Sequence, residues 1–242
     1  MKSPNKKTQR LESVVNTVMG VKKDEDSVRS SNPIASTEPD WSSIGKYIGG
    51  TVVQITVMIG ALWGLQNLAG IVPENLSLYV AIAFFALVSI RSRLFSPLDN
   101  TRSSRTYDSI QRPGWAPPPI AFPIVWMSIA VLRVISSCWV WQATGENFLS
   151  LPLILFMIHL ALGDTWNTIF TVQSRLGAAL PVVLLGPLTS AIVVTSVYGL
   201  TITKAGYLLV PMCIWLTIAS LLVFDIWRLN GKEPLYPVKS AA

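Results

Sequence analysis

Arg133, His159 and Asp164 are ionisable side chains that lie inside long apolar stretches of this 242-residue sequence. Ionisable groups are costly at the depth of a membrane, so they usually face the interior of a helix bundle and take a partner there. At about 1.5 Å per helical residue, Arg133 and Asp164 come to depths that their side chains can bridge. We predict an ion pair between them, which either binds an anionic group of a ligand or only pins two helices together. His159, the only histidine, is expected to make a polar contact between helices rather than to ligate haem.

A proline-rich stretch is the second chemically informative feature. Residues 112–119 read Arg-Pro-Gly-Trp-Ala-Pro-Pro-Pro. Each proline lacks a backbone donor and restricts the residue before it, so this stretch cannot be helical and is predicted to be stiff and extended. It is either a rigid connector with an interfacial tryptophan or a fixed lid over a bundle, in which Trp115 plugs a cavity or anchors at the interface.

The residue sets that most enzymes and metal sites need are missing from the sequence. It has no Ser/His/Asp set, no metal-ligand cluster and no glycine-rich phosphate loop. Cys138 and Cys213 lie in apolar segments without metal-ligand spacing, which predicts packing roles. The net charge of +6 comes from basic residues that flank apolar runs, so no nucleic-acid partner is expected. We predict a protein that is not an enzyme, binds no metal and requires no cofactor.

Six apolar segments must position these residues. Hydrophobic residues make up 51% of the chain and charged residues 13%, whereas soluble domains carry about 25% charged residues. The segments are 48–69 (A), 76–90 (B), 120–143 (C), 149–172 (D), 176–200 (E) and 205–227 (F). A membrane helix needs about 20 apolar residues, which all but segment B provide. Segment B ends at Arg91 and Arg93, which are expected to snorkel to the interface and let the helix continue to Phe95.

The same pattern predicts the domains and the topology. Residues 1–44 form a polar tail that is expected to be disordered, with a short surface helix over 11–18 as an alternative. An extra membrane helix over 45–70, a bundle over 71–230 and a short polar tail over 231–242 follow. Basic residues gather at the ends of the chain and in the B–C loop, so the positive-inside rule predicts that both termini lie on the inner face of the bilayer.

Four blocks along the chain carry a family resemblance. Residues 112–118 resemble the Lys/Arg-Pro-x-Trp-x-Pro-Pro signature of the TspO/MBR family of tryptophan-rich sensory and translocator proteins, and Val125-Trp126 matches the opening of its next helix. The stretches 159–170, 208–215 and 226–230 resemble its third-helix block, its fifth-helix opening and its Trp-Arg-x-Asn ending. The resemblance covers about residues 76–230, so segments B to F correspond to the five helices of the family and segment A is extra.

The resemblance implies an all-α, five-helix membrane bundle with one additional N-terminal helix. It also implies a hydrophobic pocket under the first loop, a porphyrin or haem ligand, and a homodimer. The ligand-binding residues that it carries over are Trp115, Pro117, Pro118, Trp126, His159, Trp166, Asn167, Trp215 and Phe224.

Three departures from the family pattern bear on function. Ile120, Gly163-Asp164 and Val223-Phe224 replace residues that are usually aromatic or polar in the family, so porphyrin degradation is not expected. We predict a multi-pass protein of a bacterial, plastid or mitochondrial membrane that binds a tetrapyrrole in transport or sensing. The alternative is a non-catalytic assembly protein that reuses the bundle.

Overall fold

The computed structural model describes residues 37–69, 71, 73–98 and 110–239. The predicted tail up to residue 36, with its candidate surface helix, lies outside the described residues, as do the middle of the B–C loop and the last three residues. Six helical spans are long and apolar enough to cross a membrane. Within the described ranges, the strand-like pairing consists of a single bridge between Pro39 and Val238. The predicted all-α membrane bundle with an additional N-terminal helix is confirmed.

Seven α-helices build the six spans. They are α1 (Trp41–Ala69), α2 (Glu74–Arg91), α3 (Ala121–Ala143), α4 (Leu151–Asn167), α5 (Leu176–Val183), α6 (Thr189–Thr201) and α7 (Thr203–Leu229). A 3₁₀ turn, Ser92–Phe95, prolongs α2, and a π-helical turn, Thr168–Val172, prolongs α4. A second π turn, Leu184–Leu188, joins α5 to α6 within one span. It contains Pro187, which cannot donate to a regular helical ladder.

The first span begins at Trp41, earlier than the apolar run that starts near residue 48. Asp40 caps this helix, because its carboxylate accepts hydrogen bonds from the Ser43 backbone N–H at 3.0 Å and from the Ser43 hydroxyl at 2.5 Å. Arg175 also contacts the carboxylate at 3.0 Å. The bonds from Ser43, supplemented by Arg175, lower the pKa of Asp40 to about 2. A polar cap thus starts a helix that hydropathy alone places several residues later.

The additional helix α1 packs against α4, and polar side chains along α1 contact α4 and the segments that flank it. The Tyr47 hydroxyl donates to Gln173, and the Thr51 hydroxyl lies 2.5 Å from that of Thr165. Nearer the C-terminus of α1, the side-chain oxygen of Gln66 accepts the Phe148 backbone N–H at 2.7 Å. Polar contacts between helices are favourable where water cannot compete, so α1 is an integral part of the bundle.

The two described ends of the chain meet at one end of the bundle. The Asp40 backbone N–H donates to the Pro237 carbonyl at 2.7 Å, and that of Lys239 donates to the Glu38 carbonyl at 3.1 Å. The Glu233 carboxylate accepts the Gly177 backbone N–H at 2.6 Å. Gly177 is required there, since a Cβ at this position would overlap the neighbouring C-terminal backbone. The two ends can meet because the chain crosses the bundle six times, and an even number of spans returns it to the side where it began.

Candidate ligand-binding cavity

A cavity of about 330 Å³ lies between the C-terminal end of α2, the first half of α3 and the second half of α4. Pro187 and Leu216 contribute to its wall from the fifth and sixth spans. Leu94 lines the cavity and is 69% exposed, which places the mouth at the end of the bundle where α2 ends and α3 begins. The volume lies in the range of about 300 to 1,000 Å³ that small-molecule sites occupy.

One wall of the cavity carries a chain of hydrogen bonds that starts at Arg133. Its guanidinium lies 2.9 Å from Nε2 of His159, whose Nδ1 lies 2.9 Å from the Ser190 hydroxyl. That hydroxyl donates to the Pro187 carbonyl at 3.1 Å. Arginine can only donate, so Nε2 accepts and Nδ1 carries the proton. His159 is therefore neutral, and neither of its ring nitrogens is free to coordinate iron. This arrangement agrees with the expected polar contact between helices.

The cavity lining also carries an ion pair, but between different partners from those predicted. Asp164 lies 3.6 Å from Nε of Arg93, and the Gln54 side chain donates to it at 2.7 Å. Gln54 also donates to the Ser92 carbonyl at 3.2 Å. Among the described residues, no carboxylate lies within 4.0 Å of Arg133. Arg133 and Asp164 both line the cavity and interact electrostatically, but they do not form the direct ion pair that was predicted.

The 3₁₀ turn after α2 explains this exchange of partners. Instead of continuing straight, the chain tightens over Ser92–Phe95 and contacts α4. The Arg93 side chain, which was expected to snorkel outward, is only 21% exposed and reaches Asp164. Gln54 was missed as a site residue, although an amide in the middle of an apolar segment is itself a signal of a buried polar contact.

The proline-rich loop is clamped to the end of α7. The side chain of Asn230 accepts the Gln111 backbone N–H at 3.0 Å and donates to the Gln111 carbonyl at 2.8 Å. The indole N–H of Trp115 donates to Asp225 at 2.8 Å, and the ring remains 48% exposed. The loop signature and the Trp-Arg-x-Asn ending, which are far apart in sequence, are thus joined in the fold.

Comparison of the sequence with known proteins identifies the family. The family model described as TspO/MBR matches residues 79–228, which is more than half of the chain. The chain belongs to the TspO/MBR family. The matched region begins inside α2, so α1 and its Gln54 lie outside it.

Named relatives come from bacteria and mammals. The chain is 34% identical to Protein CrtK of Rhodobacter capsulatus over 132 residues, which cover 53% of this chain and 81% of the relative. It is 34% identical to the tryptophan-rich sensory protein of Cereibacter sphaeroides, covering 53% of this chain and 78% of the relative. It is 31% identical to the human translocator protein, covering 52% of this chain and 75% of the relative.

Four of the residues carried over from the TspO/MBR pattern line the cavity. They are Trp126, His159, Trp166 and Asn167. The Trp126 ring lies 5.6 Å from the Arg133 guanidinium, in cation–π geometry. The Trp166 ring stacks on Phe170 at 5.6 Å with an angle of 4°, and its indole N–H is buried without a hydrogen-bond partner.

The other five carried-over residues lie away from the cavity. Trp115 does not plug it, because the bond to Asp225 holds the indole against α7. Pro117 lines a separate slot of about 40 Å³ under the loop, and Pro118 is exposed. Trp215 packs edge-on against Phe122 at 5.6 Å, while Phe224 is 42% exposed beside Trp227. Trp215 and Phe224 lie on α7, and the rotation of this helix turns Leu216 rather than these two rings to the cavity.

Proposed function

We propose that this protein binds a hydrophobic ring ligand, a tetrapyrrole of the porphyrin or haem type, and serves in its transport or sensing. Family membership supports a membrane protein with a tetrapyrrole-related role, and the relatives are named as sensory and translocator proteins. The observation that carries the proposal is the cavity, which has the indoles of Trp126 and Trp166 in its wall. Flat aromatic ligands stack favourably on such rings.

We further propose that the protein is not an enzyme and needs no cofactor. Within the described ranges, no group of three His, Cys, Asp or Glu side chains could hold a metal ion. The only histidine is engaged at both ring nitrogens. Its neutral Nδ1–H form serves to orient Arg133 and Ser190, which suits a binding wall better than proton transfer.

A titration of the detergent-purified protein with protoporphyrin IX and with haem tests the ligand proposal. Porphyrin fluorescence and the Soret band report binding directly, without interference from the nine tryptophans. A Trp126→Leu/Trp166→Leu double variant is expected to bind about tenfold more weakly, at roughly 0.5–1.5 kcal/mol per lost aromatic contact.

Two control variants accompany this titration. Trp63→Leu removes an indole that is 62% exposed on α1, and Trp115→Phe removes the bond to Asp225. Both are expected to bind like the wild type. Equal binding by the double variant and the controls would contradict the proposal.

The alternative, a non-catalytic assembly protein, is favoured by α1. This helix lies outside the region shared with the family and exposes Val52, Val53, Val57 and Trp63 on the side away from its polar contacts. A homodimer is the simplest such assembly. Native mass spectrometry of the wild type and of Val53→Trp tests this role. The wild type is expected to form a complex, and the bulky side chain of the variant is expected to disrupt it. A monomeric wild type would count against it.

We also propose a fixed orientation of the protein in the bilayer. The two described ends meet at one end of the bundle, together with Arg175 and Arg228. By the positive-inside rule we assign this end to the inner face of a bacterial or organellar membrane. Protease accessibility of an N-terminal tag in sealed vesicles tests the assignment.

A further inference from the structure

Arg133 is a buried cation that no carboxylate of the described residues contacts. Its side chain is 7% exposed, and its contacts are neutral: Nε2 of His159, the Met212 sulfur at 3.2 Å and the Trp126 ring. Arg93, which also lines the cavity, has Asp164 as a direct partner, whereas the same carboxylate acts on Arg133 only from beyond contact distance. A buried charge that lacks an opposite charge in contact is unfavourable, so such a group is usually paired. Within its described part, the structure therefore gives Arg93 a contacting carboxylate and Arg133 none.

The cavity wall as a whole carries an excess of positive charge and of hydrogen-bond donors. Its fully charged side chains are the guanidinium groups of Arg91, Arg93 and Arg133 against the single carboxylate of Asp164. Two further lining residues, Trp166 and Ser89, have buried polar atoms that find no hydrogen-bond partner among the described residues, and both of these atoms can donate. An unpartnered indole alone is not informative, since Trp141 has one in the packed core. Unpartnered donors beside an unpaired guanidinium and an open volume together favour an anion.

We propose that the cavity binds a carboxylate joined to an apolar body, with Arg133 as the counter-ion of the acid group. Guanidinium and carboxylate form short, charge-assisted hydrogen bonds. The apolar body lies towards Trp126 and the mouth, where Met127 and Leu94 are exposed. The inference rests on the proposed function for the nature of that body. The carboxylate belongs either to the side chain of a ring ligand or to a fatty acid, and the test distinguishes these two sources.

The first arm of the test compares protoporphyrin IX, a dicarboxylic acid, with its dimethyl ester, which has the same ring and no charge. The wild-type protein is expected to bind the acid at least about tenfold more tightly than the ester, as charge-assisted hydrogen bonds allow. Arg133→Met is expected to bind acid and ester equally, at the affinity of the ester. Arg133→Lys keeps the charge without the forked geometry and is expected to retain part of the preference. Arg228→Met, a change at an exposed arginine of α7, is the control and is expected to keep all of it.

Thermal unfolding of the same variants separates a ligand contact from a structural role. Methionine has a similar shape and removes a buried charge, which offsets the loss of the donor to Nε2 of His159, so Arg133→Met is expected to be about as stable as the wild type. Loss of the acid preference in a variant of undiminished stability supports the inference. Equal binding of acid and ester by the wild type would overturn it, as would a preference that survives in Arg133→Met, and in both cases the proposed ring ligand would remain.

The second arm uses laurate and methyl laurate. If neither protoporphyrin IX nor its dimethyl ester binds, the proposed function fails. The comparison of laurate with methyl laurate then decides the inference by itself. Binding of laurate in preference to its ester, lost in Arg133→Met, would identify a fatty acid as the source of the carboxylate. The absence of any preference would overturn the inference.

Discussion

The two halves of the bundle are filled in opposite ways. In the half that carries the α3–α4 loop, Phe84, Phe85, Trp141 and Phe148 form a continuous aromatic cluster with ring centroids 5.2 to 6.4 Å apart. In the half where the chain ends meet, the space between α2, α3 and α4 is lined by charged as well as apolar side chains and remains open. Rings interdigitate to the density of a protein interior, whereas charged groups need partners at fixed distances and leave space where a partner is lacking. The packed half therefore contributes mainly to stability, whereas the open half contains the candidate binding cavity.

The largest expected effect is the loss of an aromatic side chain from the packed half. Trp141→Ala is expected to lower the free energy of unfolding by about 3–5 kcal/mol, because Trp141 is 1% exposed and its removal leaves a cavity among rings. Denaturant unfolding in detergent measures this, with Trp63→Ala on the exposed face of α1 as the control. Porphyrin affinity of the folded fraction should not change. If Trp141→Ala weakened porphyrin binding as much as it weakened folding, the packed half and the cavity half would not have separate roles.

Removal of the charge of Asp164 is expected to have the next largest effect. Asp164→Asn keeps the shape but leaves Arg93 without its counter-ion. Since the Arg93 side chain is 21% exposed, we expect a loss of about 2 kcal/mol, less than for a fully buried pair. A double-mutant cycle with Arg93→Met measures the coupling between the two residues. Additive effects of the single changes would show that the pair is not a unit.

Disruption of the contact between α1 and the cavity wall is expected to lower the stability less than Asp164→Asn does. Gln54→Leu removes the hydrogen bonds to Asp164 and to the Ser92 carbonyl, at about 1–2 kcal/mol of stability. The matched control Val57→Leu lies on the exposed face of the same helix and should change stability very little. Unfolding curves of both variants, together with porphyrin titration, show whether α1 supports the cavity. An effect of Val57→Leu equal to that of Gln54→Leu would argue for general loosening of the helix.

The smallest expected effect is a pH dependence at the capped start of α1. The pKa of Asp40 is about 2 in the folded protein against an ordinary value of 3.8, so its carboxylate is stabilised by folding. A lowered pKa contributes stability above pH 3.8 that is lost as the pH falls through the interval towards 2. The contribution is about 1 kcal/mol, as for other helix caps. Thermal unfolding at pH 6 and pH 3 is expected to show a smaller drop in Asp40→Asn than in the wild type, and an equal drop in both would contradict this role.

The spans were predictable from the sequence because a continuous apolar run of sufficient length has one stable outcome in a bilayer. The non-helical loop was predictable because proline acts locally on its own and the preceding residue. The cavity was only partly predictable. The family motif correctly indicated Trp126 and Trp166 as residues of the cavity wall, but it also indicated Trp115, which the structure places outside it.

By itself, the sequence determined the membrane class, the number of spans, the non-helical proline-rich stretch and the family, since each depends on composition, length or local stereochemistry. Only the tertiary structure decided that Asp164 pairs with Arg93, that Gln54 of the additional helix supports this pair, and that no carboxylate of the described residues contacts Arg133. The physical reason is that hydropathy fixes the depth of a residue along a helix but not the direction of its side chain around the axis. Helix rotation and the 3₁₀ turn over Ser92–Phe95 set that direction, because they follow from packing against all the neighbouring helices together.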